Sequence, residues 1–334
     1  MRVIVTGGAG FIGSNLILRL FEKYPDWEIY NLDKLTYASN PAYLKSLKNS
    51  GRYYFKKVDL VNRNEVHDVV KAFKPQGVFH LAAESHVDNS IKGPEPFIQS
   101  NIVGTFNILE ECRQLWKEDE ESWKNNRFLH VSTDEVYGEL EDDGYFTEDT
   151  PYAPNSPYSA SKASSDFIVR SYFQTYGMNV VTTNCSNNYG PHQHDEKLIP
   201  VVIRKAVSHK EIPVYGKGEN VRDWLFVHDH NDALEVAFNK GKAGETYNIG
   251  GNNEWKNIDL VRMICNILNE ELGTGPNGDY KNLITFVEDR PGHDFRYAID
   301  ASKINHELGW EPSNDFNGML RQTILWYVNK YNSK

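Results

Sequence analysis

The chain has 334 residues, of which 40% are hydrophobic and 25% are charged, as in a globular protein large enough for two domains. Its net charge of −10 argues against nucleic acid or an anionic membrane as the main partner. No stretch reaches the roughly 20 apolar residues of a membrane helix, and the first residues resemble a strand, not a signal peptide. The cysteines, Cys112, Cys185 and Cys265, are too far apart to suggest a disulfide framework or a zinc site. We therefore expect a cytoplasmic protein without a metal.

Strand-like and helical patterns alternate through the first half of the chain. In chain order, they predict a strand over 3–6, a helix over 11–21, strands over 28–32, 53–58 and 77–81, a helix over 97–115, a strand over 127–132 and a helix over 158–176. This alternation indicates an α/β fold of the Rossmann type, a doubly wound parallel sheet covered on both faces. Ligands of such sheets bind beyond the carboxyl ends of the strands. Four residues are expected at that edge: Asp33, Asp59, Ala82 and Thr133.

The second half of the chain is less regular. Residues 187–191 interrupt the alternation, 216–220 form a turn-rich loop, and 271–282 are rich in glycine and polar residues, which predicts an exposed excursion. We expect a smaller, mixed α/β domain here. The pattern alone fixes no clean boundary between the two domains.

A glycine-rich loop lies directly between the first predicted strand and the first predicted helix. Gly7 permits the tight turn, Gly10 allows a pyrophosphate to approach the backbone, and Gly13 allows the helix to pack closely on the sheet. Asp33 ends the next strand, where an acid would bind the adenine ribose of a dinucleotide. An acid here favours NAD over NADP because it repels a 2′-phosphate, although the neighbouring Lys34 weakens that preference.

The next two strand ends add candidate cofactor residues. Asp59 has two possible roles, since an acid after a strand can contact the adenine together with Leu60 or can cap the following helix. The small residues after the fourth strand leave room for the pyrophosphate and the nicotinamide ribose. His80 is expected to pack within the sheet and to take no part in chemistry.

Two further groups of residues indicate catalysis. Tyr158 and Lys162 lie one helical turn apart and share a helix face. A neighbouring ammonium favours the phenolate form of a tyrosine, which makes it a usable base. Thr133, Asp134 and Glu135 follow the end of a strand, and two adjacent acids suit a reaction that needs both a proton donor and a base. The sequence alone does not assign the two roles.

At this point the chain resembles the extended short-chain dehydrogenase/reductase superfamily and, within it, the dTDP-glucose 4,6-dehydratases. The resemblance covers nearly the whole chain. Its most specific element is the Thr-Asp-Glu triplet, because related epimerases and decarboxylases generally keep the Tyr and Lys but lack the acid pair. The matching blocks are TGGAGFIGSN (6–15), LDKLTYASN (32–40), HLAAESHVDNSI (80–91), VSTDEVYG (131–138), YSASK (158–162), NCSNNYGP (184–191), EKLIP (196–200), VRDWLFVHDH (221–230) and DRPGHDFRYAID (289–300).

The resemblance implies a cofactor, NAD, and a nucleotide-sugar substrate, dTDP-glucose. The residues implied in cofactor binding are Gly7, Gly10, Phe11, Ile12, Gly13, Asp33, Lys34, Leu35, Thr36, Asp59, Leu60, Leu81, Ala82, Ala83, Ser85, Ser100, Tyr158 and Lys162. The residues implied in substrate binding are Ser85, Thr133, Asn187, Lys197, Leu198, Pro213, Tyr215, Arg222, Asn257, Arg290 and His293. His86 and Asp88 are expected to support their loop.

The resemblance also implies a mechanism: C4 is oxidised, water is lost across C5 and C6, and the hydride returns to C6. Thr133, Tyr158 and Lys162 would serve the oxidation, with Asp134 as the acid and Glu135 as the base of the elimination. An NAD-dependent nucleotide-sugar 4-epimerase is the alternative enzyme, and a catalytically silent NAD-binding protein is the alternative of another class.

The family further implies a homodimer that packs two helices per subunit, 97–115 and 158–176, although such amphipathic helices also commonly face their own core. It implies a nucleotide-binding domain of residues 1–185 with returning segments at about 226–253 and 308–324. The substrate domain would comprise residues of about 186–225, 254–307 and 325–334.

Overall fold

A computed structural model describes residues 1–289 and 292–332. In chain order its strands are β1 (Arg2–Thr6), β2 (Glu28–Asp33), β3 (Tyr53–Lys57), β4 (Gly77–His80), β5 (Arg127–Thr133), β6 (Val180–Cys185), β7 (Asn187–Tyr189), β8 (Ile212–Tyr215), β9 (Val221–Phe226), β10 (Thr246–Ile249), β11 (Glu254–Lys256), β12 (Ile284–Val287) and β13 (Arg296–Tyr297). The helices are α1 (Phe11–Lys23), α2 (Arg63–Phe73), α3 (Val87–Lys92), α4 (Glu95–Phe97), α5 (Gly104–Trp116), α6 (Glu120–Asn125), α7 (Pro157–Tyr176), α8 (Leu198–Val207), α9 (Val227–Lys240), α10 (Asn257–Leu272), α11 (Ser302–Leu308) and α12 (Phe316–Asn332).

The main sheet has seven parallel strands in the order β10-β6-β5-β4-β1-β2-β3. Its central strands are buried on both faces, and Val3, Ile4 and Val5 of β1 are all fully buried. Continuous apolar strands of this kind require helices on both sides of the sheet. The doubly wound Rossmann-type fold is thereby confirmed.

Two helical layers cover this sheet. On one face, α1 and α9 bury side chains such as Leu16 and Leu234 against Val5. On the other face, α2, α5 and α7 bury side chains such as Val69 and Ile108. Over the described residues, none of the helices has both the length and the apolar character needed to cross a membrane.

The predicted helix over 97–115 is interrupted by a π-helical segment, Ile98–Val103, between α4 and α5. Within it, the buried Asn101 accepts a hydrogen bond from the backbone N–H of Glu84 at 2.8 Å and donates one to Ser161 Oγ at 2.8 Å. Such π segments are frequent at functional sites. Here the segment fixes the loop after β4 against the start of α7.

The second half of the chain forms two small sheets and a second core. β9 pairs with β11, β13 and β7, and β8 pairs with β12. Helices α8, α10 and α12 enclose the second core. Tyr280 is 4% exposed and belongs to this core. The prediction that the whole of 271–282 is exposed is therefore wrong at Tyr280, because an aromatic ring in a polar segment still gains free energy by burial.

The proposed division into two domains stays a prediction, and the packing of two segments departs from it. Leu320 and Ile324 of α12, grouped by sequence with the larger domain, pack in the second core. Ala301 and Ile304, grouped with the substrate domain, pack in the core of the main sheet. Contacts between helices and sheets that are distant in sequence determine this exchange.

Candidate active site

The carboxyl ends of β1, β2, β4, β5 and β6 open into one cleft of about 310 Å³. This is the edge at which parallel α/β sheets bind their ligands. It brings together most of the predicted residues: Gly7, Gly10, Phe11, Ile12, Gly13, Asp33, Lys34, Thr36, Asp59, Leu60, Leu81, Ala82, Ala83, Ser85, Ser100, Thr133, Asp134, Glu135, Tyr158, Lys162, Asn187 and Lys197.

The glycine loop has the geometry of a dinucleotide site. Gly7 has φ of +70°, and a Cβ there would lie 2.8 Å from the backbone of Ala82. A Cβ on Gly13 would lie 2.4 Å from the carbonyl oxygen of Gly7. Gly10 caps α1, so the capping position has no side chain to occupy the first N–H groups of the helix. The first amides of α1 are therefore available to the phosphates of a dinucleotide, which the residues present fit.

Asp33 holds the glycine loop and the turn after β2 together. Its Oδ2 accepts a hydrogen bond from the N–H of Ala9 at 3.0 Å, and its Oδ1 accepts from the N–H of Leu35 and from Ser39 Oγ, both at 2.8 Å. Leu35 has φ of +58° in this turn and does not line the cleft. The carboxylate of Asp33 is thus fixed at the edge where a ribose would bind.

Lys34 is paired with an acid of the chain. Its ammonium lies 2.8 Å from Glu84 Oε1 and donates to Ser100 Oγ at 2.6 Å. Because Glu84 compensates this charge, Lys34 offers a 2′-phosphate little attraction. Lys34 therefore does not weaken the preference for NAD over NADP that Asp33 indicates.

The two roles of Asp59 are separated by the structure. Asp59 Oδ1 accepts a hydrogen bond from the N–H of Val61 at 3.1 Å, within its own turn. Asn62, not Asp59, caps α2 by accepting from the N–H of Glu65. The helix-cap alternative is wrong, and Asp59 and Leu60 both line the cleft.

The acid pair lies on a 3₁₀ turn, Asp134–Tyr137, that follows β5. Thr133 begins this turn: its Oγ1 accepts from the N–H of Glu135 at 3.3 Å and donates to Asp134 Oδ1 at 3.2 Å. Asp134 is 2% exposed. Among the described residues, its Oδ2 has no hydrogen-bond partner.

The two acids have different environments. Burial raises the pKa of Asp134 well above its usual value, the negative charges of Glu135 and Asp223 raise it further, and Arg222 opposes them. Burial thus favours the neutral form of Asp134, whereas the half-buried Glu135 lines the cleft beside it. Two adjacent carboxyls in different environments are suited to paired proton donation and removal.

Tyr158 and Lys162 enter the cleft from the first turns of α7. Ser156 and Ser159 form a capping box at its start, and Pro157 occupies the first turn. The ammonium of Lys162 donates to the carbonyl oxygen of Val131 at 2.8 Å, which fixes it against β5. The local sequence therefore sets both the direction of the helix and the position of its reactive face.

The pKa of Tyr158 departs from the sequence-based expectation. Burial and the charge of Glu135 raise it well above its usual value, and a hydrogen bond with Thr133 opposes them. The lowering of this pKa expected from the Lys162 ammonium is outweighed by burial and by Glu135. The phenol is therefore protonated in the ligand-free site, and the phenolate requires a further positive charge, such as that of an oxidised nicotinamide.

Several predicted substrate residues lie outside the cleft lining: Leu198, Pro213, Tyr215, Arg222, Asn257 and His293. The rings of Tyr215 and His293 do lie close together, with centroids 6.2 Å apart. Arg222, expected to bind phosphate, is 5% exposed and donates to backbone carbonyl oxygens of Val221, Asp294 and Phe295. Arg290 lies outside the described residues.

The cleft also contains residues that sequence reasoning did not select: Leu32, Ala38, Ser39, Val58, Val131, Ser132, Cys185, Ser186, Asn188, Gln193, His194 and Glu196. Cys185 ends β6, paired with Thr133, so the rule of converging strand ends could have found it. The irregular loop that carries Gln193, His194 and Glu196 gave no comparable signal. Among the described residues, no group of His, Cys, Asp and Glu could hold a metal ion.

Comparisons with known proteins agree with this geometry. Residues 4–323 match the family model described as GDP-mannose 4,6 dehydratase. The dTDP-glucose 4,6-dehydratase of Salmonella typhimurium is 51% identical over 98% of this chain and 93% of its own. The chain belongs to the dTDP-glucose 4,6-dehydratase family. The member from Haemophilus influenzae is 50% identical over 98% of both chains.

Solved structures show the same family with its cofactor. The Bacillus anthracis dTDP-glucose 4,6-dehydratase, in complex with NAD, aligns with a TM-score of 0.88 and 43% identity over 99% of this chain and 98% of its own. The UDP-glucose 4-epimerase of Thermotoga maritima aligns nearly as well, with a TM-score of 0.87 and 25% identity over 99% of both chains. Fold alone therefore does not separate dehydratase from epimerase, and the family assignment depends on sequence identity.

Proposed function

We propose that the protein is an NAD-dependent hydro-lyase that converts dTDP-D-glucose to dTDP-4-keto-6-deoxy-D-glucose. The observation that carries the proposal is the buried Asp134 directly beside Glu135 at the carboxyl end of β5. An alcohol oxidation or a 4-epimerisation needs a single acid–base group at the C4 hydroxyl. An adjacent donor and acceptor are needed when a C–H proton must be removed while a hydroxyl leaves as water.

The glycine loop, Asp33 and the residues after β3 and β4 would hold the cofactor. When bound, NAD+ supplies the acceptor for the hydride of C4 and afterwards the donor that returns it to C6. Lys162 would bind the nicotinamide ribose hydroxyls, since its ammonium is fixed at the end of β5. The Tyr158 oxygen removes the proton of the C4 hydroxyl, and Thr133 holds O4 by a hydrogen bond.

The acid pair carries out the elimination. A ketone at C4 makes the neighbouring C5 proton acidic, and Glu135 removes it. Asp134 gives its proton to the C6 hydroxyl, which leaves as water. Once C6 is reduced, C5 takes back a proton, so the sugar has lost one water and has no net change in oxidation state.

For the substrate, we propose contacts from the predicted set. Ser85, Asn187 and Lys197 line the cleft and would reach the sugar and diphosphate. Leu198, Pro213, Tyr215, Arg222, Asn257, Arg290 and His293 would hold the nucleotide portion. Arg222 would have to exchange some of its carbonyl contacts for phosphate oxygens, which charge-assisted hydrogen bonds favour.

The proposal is tested with dTDP-glucose deuterated at C4. The mechanism requires the label on the new methyl group, detected by mass spectrometry or deuterium NMR. Methyl product without label would refute the internal hydride return. A 4-epimerase would give labelled dTDP-galactose and no keto sugar, and a silent NAD-binding protein would give no turnover. Parallel assays with UDP- and GDP-glucose measure the preference for thymidine.

We further propose a homodimer built on the helices of 97–115 and 158–176. Their exposed apolar side chains support it: Ile98, Phe106, Phe167 and Tyr176 are 45%, 37%, 57% and 46% exposed. Large exposed apolar groups on neighbouring helices are typical of an interface. We also propose a cytoplasmic location, supported by Cys112, Cys185 and Cys265, which are buried free thiols.

A further inference from the structure

A buried polar cluster surrounds Asp166, one helical turn after Lys162 on α7. Tyr158, Lys162 and Asp166 follow at intervals of four, so they share one face of the helix. Asp166 is 4% exposed and does not line the cleft. It is therefore not placed to touch the substrate or the cofactor, although it lies next to a residue that is.

Each oxygen of Asp166 is held by the elements around it. Oδ1 lies 2.9 Å from His130 Nε2, and Oδ2 accepts from Ser132 Oγ at 2.8 Å and from Tyr152 Oη at 3.1 Å. His130 and Ser132 belong to β5, the strand that ends at Thr133. Asp166 thus joins the helix that carries Tyr158 to the strand that carries Thr133.

Lys162 needs a counterion. Lys162 is only 3% exposed. Its ammonium donates a hydrogen bond to the Val131 carbonyl, but a carbonyl is neutral and does not compensate the positive charge. A buried ammonium is costly unless a carboxylate pairs with it. Attraction to Asp166 raises the pKa of Lys162 against the larger lowering effect of burial. Burial raises the pKa of Asp166 to about 7, and Lys162 opposes this, so Asp166 is an anion on the alkaline side of neutrality.

The other titratable groups that face this pair are uncharged near neutral pH. Burial holds the pKa of His80 on β4 and of His130 on β5 well below the usual value. The remaining neighbours are Cys185 on β6, Tyr137 on the 3₁₀ turn after β5 and Tyr152 in the loop before α7. Burial raises the pKa of each of these groups, so each keeps its proton. Among the described residues, and apart from Glu135 in the cleft, Asp166 is thus the carboxylate that can balance Lys162.

We propose that Asp166 is a positioning residue that keeps Lys162 in its ammonium form inside the protein and, through Ser132, fixes the strand end that carries Thr133. Without this carboxylate, the ammonium loses its proton at a lower pH. Tyr158 then loses a positive charge that favours its phenolate. The inference rests on the proposed function, because its consequence is measured as dehydratase turnover.

The test is the pH profile of kcat for Asp166→Asn, with formation of the keto sugar as the readout. Asp166 lies one helical turn from Lys162, and its oxygens are bonded to His130, Ser132 and Tyr152, not to the ammonium. An opposite charge within about 4–6 Å shifts a pKa by about 1–3 units, so the alkaline limb of the profile should move to lower pH by about 1 unit, the low end of that range. KM for dTDP-glucose should change less than about threefold, because Asp166 lies outside the cleft. If the amide variant fails to fold, Asp166→Ser gives the same neutral site with a smaller side chain.

Tyr152→Phe is the matched control, since it removes one hydrogen bond to Asp166 and leaves the charge. Its alkaline limb should coincide with that of the wild type, and Asp166→Glu, which keeps the charge, should restore the limb. A neutral variant whose kcat falls evenly across the pH range, with its alkaline limb unmoved, would overturn the inference. Absence of turnover in the wild type would instead refute the proposed function.

Discussion

Replacement of Glu135 by Gln isolates the elimination from the oxidation. The backbone N–H of Glu135, not its side chain, bonds to Thr133 Oγ1, so the 3₁₀ turn should survive the change. A positioned general base contributes about 10²–10⁴-fold. We therefore expect kcat for the keto sugar to fall by that factor, which corresponds to about 3–5 kcal/mol in the barrier at 1.36 kcal/mol for each tenfold.

The same variant should keep its capacity to oxidise C4. Loss of the Glu135 charge removes one cause of the raised pKa values of Tyr158 and Asp134, so both should fall. Tyr158 becomes a better base, and the absorbance of the reduced cofactor should rise on mixing with dTDP-glucose and persist. Stopped-flow absorbance measures this, with the exposed Glu141→Gln as control. Turnover within threefold of the wild type, or no reduced cofactor with normal folding, would contradict the assignment of Glu135 as the C5 base.

Three further predictions follow from single contacts. Gly13→Ala places a Cβ 2.4 Å from the carbonyl oxygen of Gly7, so NAD retention should be lost and the melting temperature should fall. Gly51→Ala is the control: its Cβ would lie in open space, so the melting temperature should fall less despite the positive φ of Gly51. The pKa of Glu110 is lowered to about 2, and a hydrogen bond from Arg113 is the largest cause. The resulting stabilisation of the fold is about 3 kcal/mol at most. It is complete above the pKa of the unfolded chain, about 4.5, and is lost as the pH falls toward 2. Denaturation of Glu110→Gln should then depend less on pH over that range, and an identical dependence would exclude this contribution. Phe167→Glu places a charge at a position that is 57% exposed on α7, and should give a monomer in sedimentation experiments. Tyr145→Glu is the control, because Tyr145 is 59% exposed and belongs to neither helix, so this change should leave the dimer intact.

The main sheet and the catalytic edge follow directly from local patterns. Strands such as β1 are continuous apolar runs because both their faces are covered, and strands of this type end in turns at a common edge. That rule is sufficient to bring Asp33, Thr133 and Ala82 together before any contact is known. The position of Tyr158 and Lys162 on one helix face follows equally from their spacing.

What the sequence could not provide depends on contacts between distant segments. The π segment Ile98–Val103 leaves the apolar spacing of its helix almost unchanged, so the pattern predicts one continuous helix. Arg222 donates to carbonyl oxygens of Asp294 and Phe295, in the loop before β13, and no local signal distinguishes such contacts from phosphate binding. The exchange of α11 and α12 between the two cores is likewise a matter of tertiary packing.

The three hydrogen bonds accepted by Asp33 bear on how this protein could be converted to the phosphorylated coenzyme. The usual strategy removes the acid that repels the extra phosphate and supplies a cation. Here removal of the acid would also leave two backbone amides and Ser39 without their acceptor, and the nearby cation, Lys34, is already engaged by Glu84. A change of coenzyme would thus require rebuilding the whole turn, which makes this preference resistant to drift by single substitutions.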